Sequence, residues 1–178
     1  MASKIKVDQI QTADGTGTIA LQNQLSGMTT ASLPALGSAQ MPTGSVLQVV
    51  QSTANSESST NSQSFQTVLT QAITPSSTNN KILIMTQGTF YCTVSSGYRS
   101  ILTIFRDSTN IGTDGDSMLT MTKDSAGNGV KAAMSINYVD SPSTTSAISY
   151  TLKIRQNNGG GDSYWSYEGA TTTLILME

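Results

Sequence analysis

Histidine is absent from all 178 residues, which removes the side chain that most often serves as general base, triad member or zinc ligand at neutral pH. A carboxylate pair can still cleave glycosides without histidine, and the candidates are Asp107, Asp114, Asp116, Asp162 and Glu168. Three of these, Asp114, Asp116 and Asp162, sit in glycine-rich turns, where a solvated acid is the ordinary occupant. The segment NIGTDGDS, residues 110–117, offers oxygen ligands at alternate positions, as hard cations accept, but lacks the bidentate acid that completes an EF-hand loop. It reads as a hairpin turn with Gly112 and Gly115 in positive dihedrals. GTG at residues 15–17 is followed by no helix and no Lys-Ser/Thr pair, so it is no phosphate loop. The single cysteine, Cys92, can form no intrachain disulfide and reads as a small buried hydrophobe. These residues predict a non-enzymatic protein without metal or cofactor.

Binding chemistry is better represented. NNGGGDSYWSYEG, residues 157–169, gathers Tyr164, Trp165 and Tyr167 beside acids, a set able to hold sugars by ring stacking and hydrogen bonds. Alternation offers a second reading of the same residues, in which Trp165 packs into a core or against another subunit. The remaining composition narrows the partners. Only 11% of residues are charged and the formal net charge is −2, and the nine basic residues, spread from Lys4 to Arg155, form no cluster along the chain. The expectation is no nucleic-acid partner and no anionic membrane surface. No apolar run approaches about 18 residues, so no membrane insertion is expected, and the N-terminal residues have no apolar stretch of signal-peptide type.

The elements that must position these residues are strands. Period-two alternation recurs along the chain and helical periodicity is nearly absent. In AISYTLKIRQ, residues 147–156, Ile148, Tyr150, Leu152 and Ile154 share one face, while Ser149, Thr151, Lys153 and Arg155 share the other. Further strands are predicted over 45–51, 65–73, 81–91, 100–105, 117–122, 131–139 and 171–177. TPSSTNNK, DGD, AGNG, DSPS and NNGGGD supply the turns between them. About eight strands at this spacing predict an all-β fold, an antiparallel β-sandwich of jelly-roll type, over residues 45–178. The polar stretch at 51–64 reads as a flexible loop.

Ahead of the sandwich, KIKVDQIQTADGTGTIALQNQLSG (4–27) reads as two short strands around an Asp-Gly turn. Such a hairpin is marginal alone and borrows stability from a neighbour, so residues 1–25 are expected to be an attachment or strand-exchange segment with Ile5, Val7, Ile10, Ile19 and Leu21 as its anchor positions. Residues 26–44, with Pro34 and Pro42, form a spacer. The strands at 81–91 and 100–105 carry apolar residues on both faces. That pattern requires cover on two sides, and it makes Ile82, Ile84, Tyr98, Ile101 and Phe105 candidates for a subunit interface.

Several phrases carry a resemblance: SKIKVDQIQTADGTGTIAL, TGSVLQVVQ, ITPSSTNNKILIM, TIFRDSTNIG, INYVDSPSTTSAISYTLKI and TTTLILME. Together they resemble the fibre-like virion proteins of tailed bacteriophages, especially those of marine bacteria. The resemblance implies a homotrimeric β-sandwich head, made in the host cytoplasm and displayed on the particle through a short N-terminal segment. Its implied partners are sister chains, other virion proteins and host-surface glycans. A spacer of roughly 19 residues reaches about 65 Å at most, which implies a compact knob, a capsid decoration or a fibre tip in place of a long shaft. The alternative reading is a free-standing lectin-like carbohydrate-binding module.

Overall fold

A computed structural model describes residues 41–93, 98–112, 117–123, 129–158 and 160–178. The anchor positions Ile5, Val7, Ile10, Ile19 and Leu21 lie outside the described residues, as do Asp114 and Asp116. Pro42–Glu178 forms one compact unit, an all-β sandwich of two antiparallel sheets.

Eleven strands are described: β1 (Val49–Ala54), β2 (Ser58–Thr60), β3 (Gln66–Ile73), β4 (Ile82–Cys92), β5 (Arg99–Arg106), β6 (Thr109–Asn110), β7 (Leu119–Thr122), β8 (Val130–Asp140), β9 (Ile148–Gln156), β10 (Ser163–Trp165) and β11 (Thr172–Met177). One sheet, called A here, runs β1-β11-β4-β8; the other, B, runs β3-β9-β5-β7. This order is the double Greek key of a jelly roll. The three short strands are additions: β10 and β2 extend sheet A beside β4, and β6 pairs with the end of β5. Half of the predicted flexible loop at 51–64 is instead paired, because β1 continues along β11 to Ala54 and β2 pairs with β10.

Alternation decides which side chains are inside. On β9 the predicted face of Ile148, Tyr150, Leu152 and Ile154 is the buried one. On β4 the even residues Ile82, Ile84 and Phe90 point inward and meet Ile104, Leu152, Leu174 and Leu176 in a single core. Ile82 and Ile84 are fully buried within the chain, so the outward positions of β4 are Leu83 and Met85, one residue out of step from the predicted interface pair.

Two polar clusters tie the layers. Asp140, nearly buried at the end of β8, accepts Arg106 Nη1 on both oxygens at 2.9 and 2.8 Å and the Tyr150 hydroxyl at 2.7 Å. Arg106 and Tyr150 belong to sheet B and Asp140 to sheet A, so one carboxylate links the sheets. Burial, and then the bond to Asp140, pushes the Tyr150 hydroxyl up from its usual value. The second cluster surrounds Glu178, whose carboxylate accepts Ser76 N–H at 2.7 Å, Ser76 Oγ at 2.6 Å, Asn80 Nδ2 at 2.7 Å and the Gln48 amide. It fastens the end of β11 to the β3–β4 connection. Burial alone would push this carboxyl up, but the hydrogen bonds from Ser76, Asn80 and Gln48 together outweigh it and hold the group at about 2.

A carboxyl depressed in the fold stabilises it above the unfolded value of 4.5 and loses that contribution as pH falls through about 2. Glu178→Gln is therefore expected to unfold more easily at neutral pH by about 1.5–3 kcal/mol, the range for hydrogen bonds to charged groups. In urea titrations across a pH series, the gap between variant and wild type should close between pH 4.5 and about 2. A gap that stays constant across that window would contradict this account of the cluster.

Candidate functional site

Strand β4 is paired along both edges. β8 matches it over its full length, from Ile82 opposite Asp140 to Cys92 opposite Val130. The other edge is shared by β11, over Leu83–Gln87, and by β10, over Phe90–Cys92. Between them, at Gly88 and Thr89, neither neighbour pairs. Trp165 fills the gap from inside. A Cβ at Gly88 would lie 2.6 Å from Trp165 Cε2 and 2.7 Å from Thr172 Oγ1, so only glycine lets the indole lie against the strand.

Trp165 is thus a core residue, 0% exposed, with its ring edge-on to Phe90 at 5.7 Å between centroids. As a candidate ligand contact it is withdrawn: no external molecule reaches it in this fold. The neighbours in sequence go the other way. Tyr164 and Tyr167, half-buried, meet Tyr91 on the outer face of sheet A, with centroids 5.4, 4.2 and 5.4 Å apart. Tyr91 comes from β4, 73 residues before Tyr164 in the chain, which is why local reading of the 157–169 segment missed it.

The loop that presents Tyr167 is strained. Ser166, Glu168 and Gly169 all have positive φ, at 57°, 59° and 73°, and for the two non-glycine residues this costs on the order of 1–3 kcal/mol each. The conformation directs Glu168 to Lys131 on β8, with a 2.8 Å ion pair, while Lys131 Nζ lies 5.2 Å from the Tyr167 ring centre. The hydrogen bond to Glu168 holds the Lys131 ammonium above its usual value. Glu57 Oε2 accepts the Glu168 N–H at 3.1 Å. Burial, and then the nearby Asp162 and Glu57 carboxylates, pushes the Tyr164 hydroxyl up. The result is an aromatic surface edged by carboxylates and one ammonium, suited to stacking and hydrogen bonding with a polar ring.

The rest of the outer face of sheet A is without charge. Register places Val49, Met177, Leu83 and Val139 in one row across four strands, and Gln51, Ile175, Met85 and Asn137 in the next. Val49 and Val139 are each 53% exposed. Beyond Met85 the face becomes a shallow groove along β4, lined by Gln87, Thr89, Ala133, Ser135, Thr171 and Thr173. The far edge of β8 has no strand partner among the described residues.

Tyr98 packs half-buried against the core. Ile101 faces away from the core cluster yet is 0% exposed, covered within the chain, so it offers nothing to a second subunit. Phe105 lies half-buried on the same side, edge-on to Phe65 at 5.2 Å. Of the proposed carboxylates, Asp107 (φ 51°) accepts Ser149 N–H at 2.9 Å in the β5–β6 turn, and Asp162 N–H donates to Thr93 Oγ1 at 2.9 Å. Asn110 Oδ1 accepts Thr103 Oγ1 at 2.7 Å and Gly112 N–H at 2.9 Å. No group of three or more His, Cys, Asp and Glu able to hold a metal occurs among the described residues, and no helix among them is long and apolar enough to cross a membrane.

No protein-family model matches the chain, and no curated protein matches it. Solved structures with a similar β-rich arrangement include the infectious bursal disease virus VP2 subviral particle, at 20% identity and a TM-score of 0.42. The T=1 particles derived from that virus give 20% identity and a TM-score of 0.43. The match covers 82% of this chain but 37% of the first structure's chain and 36% of the second's. The chain spans little over a third of the length of these matched chains.

Gly88→Ala tests the Trp165 seat. It is expected to destabilise the fold by about 1–3 kcal/mol, as overpacking does, and to red-shift the emission of the single tryptophan. Unchanged stability and emission would show that the indole does not rest on β4.

Proposed function

We propose that this chain is a non-enzymatic structural protein of a virus particle, of the fibre or decoration type found on tailed phages, whose sandwich assembles as a homotrimer. The observation that carries the reading is the outer face of sheet A. A monomer in water does not ordinarily leave Val49, Met177, Leu83 and Val139 in one uncharged row, backed by Ile175 and Met85; apolar patches of this kind mark contact surfaces. The edge of β8 that has no strand partner among the described residues meets that face at Val139. An edge and a face are different patches, and contact between the edge of one copy and the face of the next is heterologous, so a constant turn closes it into a ring. The phrases shared with phage fibre-like proteins support a ring of three.

Residues 1–25 would then hold the head to the particle, and 26–44 would space it. Host-surface glycans are the proposed ligand of the Tyr91, Tyr164 and Tyr167 surface, which remains outside the apolar rows. A free-standing lectin is the second reading, favoured by the same tyrosines. It predicts that a chain lacking residues 1–41 keeps all its activity, whereas a virion protein so shortened stays folded and no longer enters particles.

Size-exclusion chromatography with light scattering should give three chain masses at micromolar concentration. Leu83→Glu with Met177→Glu should give a folded monomer, with the strand spectrum retained in circular dichroism. A wild-type monomer, or a double variant that remains trimeric, would overturn the proposed contact.

A further inference from the structure

Strand β4 carries the tyrosine surface straight into the groove. Residues two apart on a strand share a face, so Tyr91, Thr89 and Gln87 follow one another outward along β4, beside Lys131, Ala133 and Ser135 of β8. On the other side Tyr164 stands opposite Tyr91 and Thr173 opposite Gln87, while Gly88 and Thr89 face the break between β10 and β11. Ala133 is the smallest of the three β8 residues, and the surface sinks between it and the break. The depression there has a volume of about 350 Å³. Its walls at Gln87 and Ser135 are shared with a second depression of about 320 Å³, whose lining includes Met85 and Ile175 of the apolar rows. Each is as large as the smaller binding sites for organic ligands, which begin at about 300 Å³. Platform and groove are therefore collinear, and from Tyr91 to Gln87 they follow about 13 Å of strand.

The three tyrosines make a platform and not a cage. Their centroids stand 4.2 to 5.4 Å apart, which is ring-to-ring contact, so nothing fits between them and a ligand must lie on their outer side. Along the groove the lining changes to the hydroxyls of Thr89, Ser135, Thr171 and Thr173 and the amide of Gln87. Each of these both donates and accepts, as sugar hydroxyls do. The charges beside the platform already have partners: Glu168 holds the Lys131 ammonium at 2.8 Å, and Glu57 accepts the Glu168 N–H at 3.1 Å. An ionic ligand would have to compete with that pair, whereas an uncharged one leaves it intact. A peptide is poorly served. The break leaves two residues of β4 unpaired on one edge, too few for an added strand, and a peptide laid across the sheet face finds only side chains for its N–H and C=O groups.

We infer that the platform and the groove together bind a linear, uncharged polysaccharide, with one sugar stacked on the tyrosines and the chain continuing along β4 over Thr89 toward Gln87. The stacked sugar presents its C–H face to the rings, and the following sugars exchange hydrogen bonds with the hydroxyls and the amide of the groove. This rests on the reading of the tyrosine surface as a glycan site, which by itself needs only one sugar, and adds the length, direction and charge of the ligand. It does not rest on the virion reading. The row of Leu83 and Met177 lies beyond Met85, so the ligand and the proposed contact between copies occupy different parts of the face.

The test is calorimetric titration of the full chain with the disaccharide and hexasaccharide of a linear glucan, a mannan and a galactan, and with the galacturonate hexasaccharide as the charged probe. At least one neutral hexasaccharide should bind at least about tenfold more tightly than its own disaccharide and than the galacturonate. Tyr164→Thr and Tyr167→Ala should each weaken that hexasaccharide at least about tenfold, as loss of an aromatic anchor does. Ala133→Phe and Ser135→Tyr, at exposed positions of β8, fill the groove and should each remove the advantage of the hexasaccharide over the disaccharide. Circular dichroism and melting temperature identify the variants that keep the fold. If no neutral saccharide binds, or binding is undiminished in both tyrosine variants, this inference and the tyrosine reading fall together. If disaccharide and hexasaccharide bind equally, the galacturonate is preferred, or the advantage of length survives in both filled variants, this inference alone is overturned and the tyrosine reading stands.

Discussion

Strand β4 constrains the rest of the molecule because one of its edges is paired over all eleven residues and the other over eight. A strand held on both sides cannot slip by one residue without turning every side chain to the opposite face. The even positions are therefore committed to the core and the odd positions to the outside, and the neighbours β8 and β11 inherit the same phase through their registers. The uncharged rows on sheet A follow from this phase. Leu83 and Met85 point outward, half-buried, because Ile82 and Ile84 are inside, and Val139 and Met177 share that outer face because they stand opposite Leu83.

The one break in that pairing organises the other end of the sheet. Two short strands share an edge that one long strand fills on the opposite side, and the chain between them must leave the sheet and return. It does so in the Ser166–Gly169 segment, where positive φ angles bring Tyr167 and Glu168 back over the face. Trp165 closes the break from within, against a position with no side chain. Core and candidate site are thus coupled through adjacent residues: the indole that fixes β10 against β4 also sets where Tyr164 and Tyr167 emerge.

The architecture was readable from alternation alone, since all eight principal strands lie on or beside the predicted segments, and β9 shows the predicted faces residue for residue. What escaped has identifiable causes. β2, β6 and β10 are two or three residues long, too short for a period to register, and they exist because longer strands offer them an edge. The phase of β4 is ambiguous in ILIM, where all four residues are apolar; only the position of the other sheet decides between Ile82 and Leu83. Tyr91 joins Tyr164 and Tyr167 through a cross-strand pairing that no local window contains. The contact of Lys153 with the Phe105 ring escaped for a similar reason: the two are 48 positions apart in the chain, and the β5–β9 ladder brings their strands together.

The two outer faces solve the problem of a low-charge protein in opposite ways. With 11% charged residues, the chain cannot cover both sheets with ions, and exposed apolar strands invite uncontrolled pairing. On sheet B the few available cations lie over the aromatic rings and leave little apolar surface open. On sheet A there is no such cover except at Lys131, and the polar groups that remain are amides and hydroxyls, which lose little when another neutral surface replaces water around them. Desolvating Gln51, Asn137 or Ser135 costs far less than desolvating a charge and can be offset by new hydrogen bonds. A face built in this way tolerates burial against another copy, whereas burying the outer face of sheet B would also desolvate the exposed Arg99 and the Lys153 ammonium that lies over Phe105.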